Sequence, residues 1–70
     1  MEKSVLNIRA LREAADMTQE ELAKRMGVKS PAVSKWERGL SLPPIDKVVR
    51  LARIFDCTIE QLLGIDAAGA

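Results

Sequence analysis

The sequence predicts an all-α fold, a compact five-helix bundle, on three observations: apolar residues recur at spacings of three and four, two capping-box motifs open helices, and glycines stand where helices should stop. No stretch reads as a strand. Val5, Ile8, Leu11 and Ala15, interleaved with Arg9, Arg12, Glu13 and Asp16, predict a first amphipathic helix from about Ser4 to Ala15. In Thr18-Gln19-Glu20-Glu21 the Thr18 hydroxyl can accept the Glu21 amide while the Glu21 carboxylate reaches back to the Thr18 amide, so a second helix starts there. It turns Leu22, Ala23 and Met26 inward and ends at Gly27, after which Val28 plugs the turn. Ser30-Pro31 is a start signal, with serine as the cap and proline in the first turn, and the third helix runs to about Arg38 before Gly39. Leu40 to Pro44, with two consecutive prolines, is a loop. Ile45, Val48, Val49, Ala52 and Phe55 form the inner stripe of a fourth helix, with Asp46 near its positive end. Thr58 and Gln61 make a second capping box, opening a short fifth helix that carries Leu62 and Leu63 and stops at Gly64.

With 70 residues and 7.7 kDa there is room for one small module, read as a domain over residues 1–66 and a frayed tail over residues 67–70. An apolar fraction of 47% beside 30% charged residues places the chain with ordinary globular proteins and away from disorder. Cys57 is the one cysteine and histidine is absent, so neither an intramolecular disulfide nor a Cys/His zinc site is expected, and Cys57 reads as a small core hydrophobe in a reducing compartment. Asn7 and Arg9 interrupt the N-terminal apolar residues, which argues against a signal peptide, and no apolar run approaches the roughly 18 residues of a membrane span. A cytoplasmic location without membrane contact is expected.

A net charge of only +1 conceals an uneven distribution. Between Leu22 and Arg38 stand Lys24, Arg25, Lys29, Lys35 and Arg38 against Glu37 alone, a net of +4, so the rest of the chain is acidic by 3. That segment lies within Thr18 to Gly39, where two short helices join through a turn that Gly27 makes sharp, with the small Ala23 at the crossing and Val28, Val33 and Trp36 turned to the core. This is the pattern of a helix-turn-helix. On its second helix, opposite Val33 and Trp36, Ser30, Pro31, Ser34, Lys35 and Arg38 share an exposed face without a large apolar group. Basic side chains at such a rim neutralise phosphates and release counterions, while Ser30, Ser34 and Lys35 can reach base edges and Pro31 can offer apolar contact to a thymine methyl.

The run MTQEELAKRMGVKSPAVSKWERG, followed by a proline-led helix and DCTIEQLLG, resembles the phage repressor and Cro-type (XRE-like) helix-turn-helix family over about residues 4–64. The resemblance implies a lambda-repressor-like bundle whose motif spans residues 18–39 and whose helix at about 30–38 enters the major groove of double-stranded DNA. It further implies that Gln19 and Arg38 hold the phosphate backbone, that Lys29, Ser30, Pro31, Ser34 and Lys35 face bases or phosphates, and that Arg12 and Glu37 form a partly buried structural ion pair. Taken with the basic rim, Ser30, Pro31, Ser34 and Lys35 are expected to read bases and Thr18, Gln19, Lys24, Lys29 and Arg38 to contact phosphates. The implied function is a transcriptional regulator, most simply a repressor, acting as a homodimer at least on DNA, with the contact at Ile59 to Ile65. Leu40-Ser41-Leu42 departs from the family in carrying no Lys or Arg.

Catalysis is not expected, because no histidine is present, Glu20, Glu21 and Asp46 read as charges at helix starts, and no Gly-rich phosphate loop occurs. No cofactor, metal or small-molecule ligand is implied. The rival reading is a protein-interaction module of the same fold, an antitoxin or anti-repressor, which would use Leu40 and Leu42 and would have no need of the basic face around Lys35.

Overall fold

A computed structural model describes residues 6–64, which hold five helices in the order α1 (Ile8–Ala14), α2 (Gln19–Met26), α3 (Ser30–Glu37), α4 (Ile45–Ile54) and α5 (Ile59–Leu63), without a strand among them. The residues 67–70 read as a frayed tail, and Ser4 and Val5 of the expected first helix, lie outside the described residues. Within them α1 begins at Ile8, later than the expected start. The polar group preceding it is engaged elsewhere: the Asn7 amide donates to the Leu62 carbonyl at 2.8 Å and Asn7 Nδ2 to the Gln61 carbonyl at 3.2 Å. Asn7 thereby satisfies the Leu62 carbonyl at the end of α5 and adds a second donor to the Gln61 carbonyl, which also accepts the Gly64 amide, and it ties the first helix to the last.

Both capping boxes form. Thr18 Oγ1 accepts the Glu21 amide at 3.0 Å while Glu21 Oε1 accepts the Thr18 amide at 2.8 Å, and Thr58 and Gln61 repeat the pattern at the same distances. Four helices end alike. A residue in the left-handed conformation, Asp16, Gly27, Gly39 or Asp56, is followed by an amide that reaches back five residues: Met17 to Arg12, Val28 to Ala23, Leu40 to Lys35 and Cys57 to Ala52, at 2.9–3.1 Å.

Ile8, Leu22, Ala23, Met26, Val33, Trp36, Val48, Leu51 and Leu62 make one core to which all five helices contribute. Each fully enclosed Leu, Ile or Met side chain here stabilises the fold by about 1.5–3 kcal/mol relative to exposure. Val28 and Cys57 pack against this core half-buried. Two expectations need correction. Ser30 does not cap α3: Lys29 holds the cap position without a side-chain hydrogen bond, Ser30 is the first helical residue, and Pro31 follows in the first turn, where the missing amide costs nothing. On α4 the buried stripe is Val48, Leu51 and Ala52, whereas Ile45 and Val49, expected inside, are 76% and 39% exposed. Apolar residues cover so wide an arc of this helix that its sequence permits either phase. Packing of α4 against α2 and α5 decides between them and buries Val48, Leu51 and Ala52.

Candidate nucleic-acid interface

The α2–turn–α3 unit positions the site. Gly27, at φ +72°, allows α3 to cross α2 closely, and the turn closes on Val28, whose amide bonds the Ala23 carbonyl. Lys47 of α4 adds a tether, its Nζ donating to the Met26 carbonyl at 3.4 Å. Sequence reasoning missed that residue and Asn7, because both act on carbonyls of distant helix ends and no local motif marks such a partner.

Val33 and Trp36 anchor the inner side of α3 in the core, at 0% and 6% exposure. The opposite side therefore faces outward: Pro31 and Lys35 are exposed, Ser30 and Ser34 half-exposed, and Lys29 and Arg38 flank the two ends of the helix in solvent. The outward surface is thus short, polar and basic.

A charged knot ties the two ends of the motif to α1. Arg12 Nε donates to Glu37 Oε2 at 2.6 Å and Arg12 Nη2 to Glu37 Oε1 at 3.3 Å, a bidentate geometry, while Arg12 Nη1 donates to the Met17 carbonyl at 2.8 Å. The Glu37 side chain is 3% exposed and that of Arg12 12%. The hydrogen bond to Glu37 raises the Arg12 pKa above its ordinary value against the opposing effect of burial, so the guanidinium is held charged. Gln19 Nε2 completes the set by donating to Glu37 Oε1 at 2.9 Å. The start of α2, with Thr18 and Gln19, is thereby held beside the end of α3, with Arg38. Thr18 accepts with its hydroxyl oxygen as a cap and still has its proton to donate.

Lys24 stands apart from this group. It borders shallow surface grooves with Glu20, Glu21 and Asp16, so acidic neighbours offset part of its field. Among the described residues no cluster of carboxylates or Cys57 has the makings of a metal site, and no helix is long and apolar enough to cross a membrane.

Two helices crossing at a glycine turn, the second buried along Val33 and Trp36 and basic on its outer side, define a helix-turn-helix domain. The chain belongs to the Helix-turn-helix family, which matches residues 8–62. It is 36% identical over 58 residues to an uncharacterized HTH-type transcriptional regulator, YobD of Bacillus subtilis, covering 83% of this chain and 52% of that one. It is also 39% identical over 56 residues to antitoxin HigA1 of Mycobacterium tuberculosis, covering 80% of this chain and 38% of the relative. The chain thus spans about half of the first of these relatives and 38% of the second. Among solved structures, the P22 c2 repressor protein in complex with a synthetic operator superimposes with a TM-score of 0.79 at 33% identity, covering 86% of this chain and 91% of that one.

Proposed function

We propose that this chain is a sequence-specific, double-stranded-DNA-binding transcriptional regulator that sets α3 in the major groove. The observation that carries the reading is the division of α3 between a core side of Val33 and Trp36 and an outer side of Ser30, Pro31, Ser34 and Lys35. A helix buried so firmly can present short side chains at a fixed depth, as base readout requires. In this reading Ser30, Ser34 and Lys35 meet base edges, Pro31 meets a thymine methyl, and Thr18, Gln19, Lys24, Lys29 and Arg38 hold phosphates on both sides of the groove. Arg12 and Glu37 take no part in contact and fix the angle between α1 and the motif. The likeness to an operator-bound repressor supports this use of the fold. Repression follows directly from occupying an operator as a homodimer in the cytoplasm, where the DNA is.

The test is selection of bound sequences from random duplexes, followed by titration at several salt concentrations. The reading expects a palindromic consensus and a log–log salt slope that falls by about 0.9 for each phosphate contact removed, as in Arg38→Ala. Binding insensitive to salt, or no enriched sequence, would replace it with the protein-interaction reading. The likeness to an antitoxin and the exposure of Leu40 and Leu42, at 61% and 71%, favour that alternative.

A further inference from the structure

The outward side of α4 is apolar at one flank and has no partner among the described elements. Ile45 is 76% and Val49 39% exposed, and Leu42, three residues before the helix, is 71% exposed. A shallow groove of about 450 Å³ runs along the same side, and every residue lining it, Asp46, Val49, Arg50, Arg53 and Ile54, belongs to α4 itself. The described part of the expected contact at Ile59 to Ile65 offers less: Leu62 is buried, Ile59 is half-buried and Leu63 is 39% exposed, with Ile65 outside the described residues.

The charges along α4 choose an occupant. Asp46 stands in the first turn and Arg53 in the last, seven residues or about 10 Å apart along the axis, with Val49 between them. Two copies of this helix set antiparallel about a two-fold axis near Val49 bring Asp46 of each against Arg53 of the other and the two Val49 side chains together. A parallel pairing would oppose Asp46 to Asp46 and Arg53 to Arg53. The antiparallel arrangement also brings the two Arg50 side chains near each other beside the axis, so it sets two attractive Asp46–Arg53 pairs against one repulsion, whereas the parallel pairing has no attractive pair; the antiparallel, isologous contact is the favoured one.

We infer that the outward face of α4, with Leu42, Ile45 and Val49 as its apolar part and Asp46 and Arg53 as its reciprocal ion pairs, is where a second copy of this chain docks. The inference rests on the DNA-binding reading only for its purpose, which is to place two recognition helices on one operator. Three apolar side chains and two ion pairs make a small contact, whereas a stable interface covers roughly 800 Å² per partner. Self-association of the free chain is accordingly weak, and binding side by side on DNA strengthens it.

The experiment is a charge swap, read by sedimentation of the free chain at up to millimolar concentration. Asp46→Arg alone and Arg53→Asp alone each place like charges across the axis and should weaken dimerisation about tenfold or more. An equimolar mixture of the two variants restores both attractive pairs in the heterodimer, and its association should return to within about threefold of the parent. Circular dichroism and thermal melting confirm that each variant is folded, since both positions are exposed. A wild-type chain that stays monomeric throughout, single variants that associate as the parent does, or a mixture that is not rescued would each overturn the inference. Titration of a half-site duplex, which takes one copy, separates the two readings: unchanged half-site affinity with lost full-site cooperativity supports the α4 contact, whereas no half-site binding by the parent counts against DNA recognition.

Discussion

Arg12 of α1 and Glu37 of α3 meet at 2.6 Å although 25 residues separate them, and the Glu37 side chain is almost wholly enclosed. All of the contacts found for Glu37 come from Arg12 and Gln19, so one carboxylate joins α1, the start of α2 and the end of α3. Burying a carboxylate is tolerable only while those donors remain.

Arg12→Met should therefore destabilise the domain by about 3 kcal/mol, because it leaves Glu37 enclosed and without its charged partner. Arg12→Met combined with Glu37→Leu should cost much less, since no charge is then stranded. Denaturant unfolding of the four species measures the coupling, and losses that simply add would show that the pair contributes nothing as a pair.

Asp16 and Asp56 occupy the left-handed conformation, at φ +62° and +53°, at helix ends equivalent to those where Gly27 and Gly39 stand. Asparagine tolerates this conformation and removes a negative charge from the negative end of a helix dipole. Asp16→Asn and Asp56→Asn should each stabilise by about 0.5 kcal/mol. Gly27→Ala should destabilise by about 1–2 kcal/mol although nothing lies within 4 Å of the added carbon, because the cost is in the backbone. Chemical denaturation midpoints check both signs, and a lower midpoint for either asparagine variant would contradict the account.

Contacts to bases and to phosphates should separate in binding. Ser34→Ala and Lys35→Ala are expected to relax preference at particular base pairs by about 1–3 kcal/mol, while Lys24→Ala weakens all duplexes alike. Because Glu20 and Glu21 lie beside Lys24, its uniform loss should be smaller than that of Arg38→Ala. Affinities on an array of single-base operator variants distinguish the patterns, and a sequence-dependent effect of Lys24→Ala would move that residue from the backbone to the bases.

Cys57 provides a pH signature. Burial pushes its thiol pKa up, and the negative charge of Asp56 pushes it in the same direction. A raised folded-state pKa means that the stabilisation is complete below the unfolded thiol's pKa, about 8.5, and is lost as pH rises through the folded value. Stability should fall on the alkaline side of that range, and Cys57→Ala should remove this part of the decline. Alkylation of the native thiol near pH 8 should also be slower than that of free cysteine. Equal pH profiles for the parent and Cys57→Ala would remove the assignment.

The two helix starts at Thr18 and Thr58 and the stops at Gly27, Gly39 and Gly64 were legible in the sequence, because a capping box and a left-handed residue act within one turn and depend on nothing distant. The inner faces of α2 and α3 were legible too, since polar residues bound their apolar stripes closely. The phase of α4 was not. Ile45, Val48, Val49, Leu51, Ala52 and Phe55 satisfy more than one helical stripe, and only packing against α2 and α5 selects Val48, Leu51 and Ala52 for burial.

Local chemistry thus determined the helices of this protein and the residue types on the outer side of α3. Tertiary structure decided what those helices hold in common: Arg12 enclosed against Glu37, Gln19 turned to the same carboxylate, Asn7 on the carbonyls of α5 and Lys47 on that of Met26. The physical reason is range. A cap is complete within four residues, whereas a buried charge or an orphan helix carbonyl can be satisfied by any donor that the packing of other helices brings within about 3 Å.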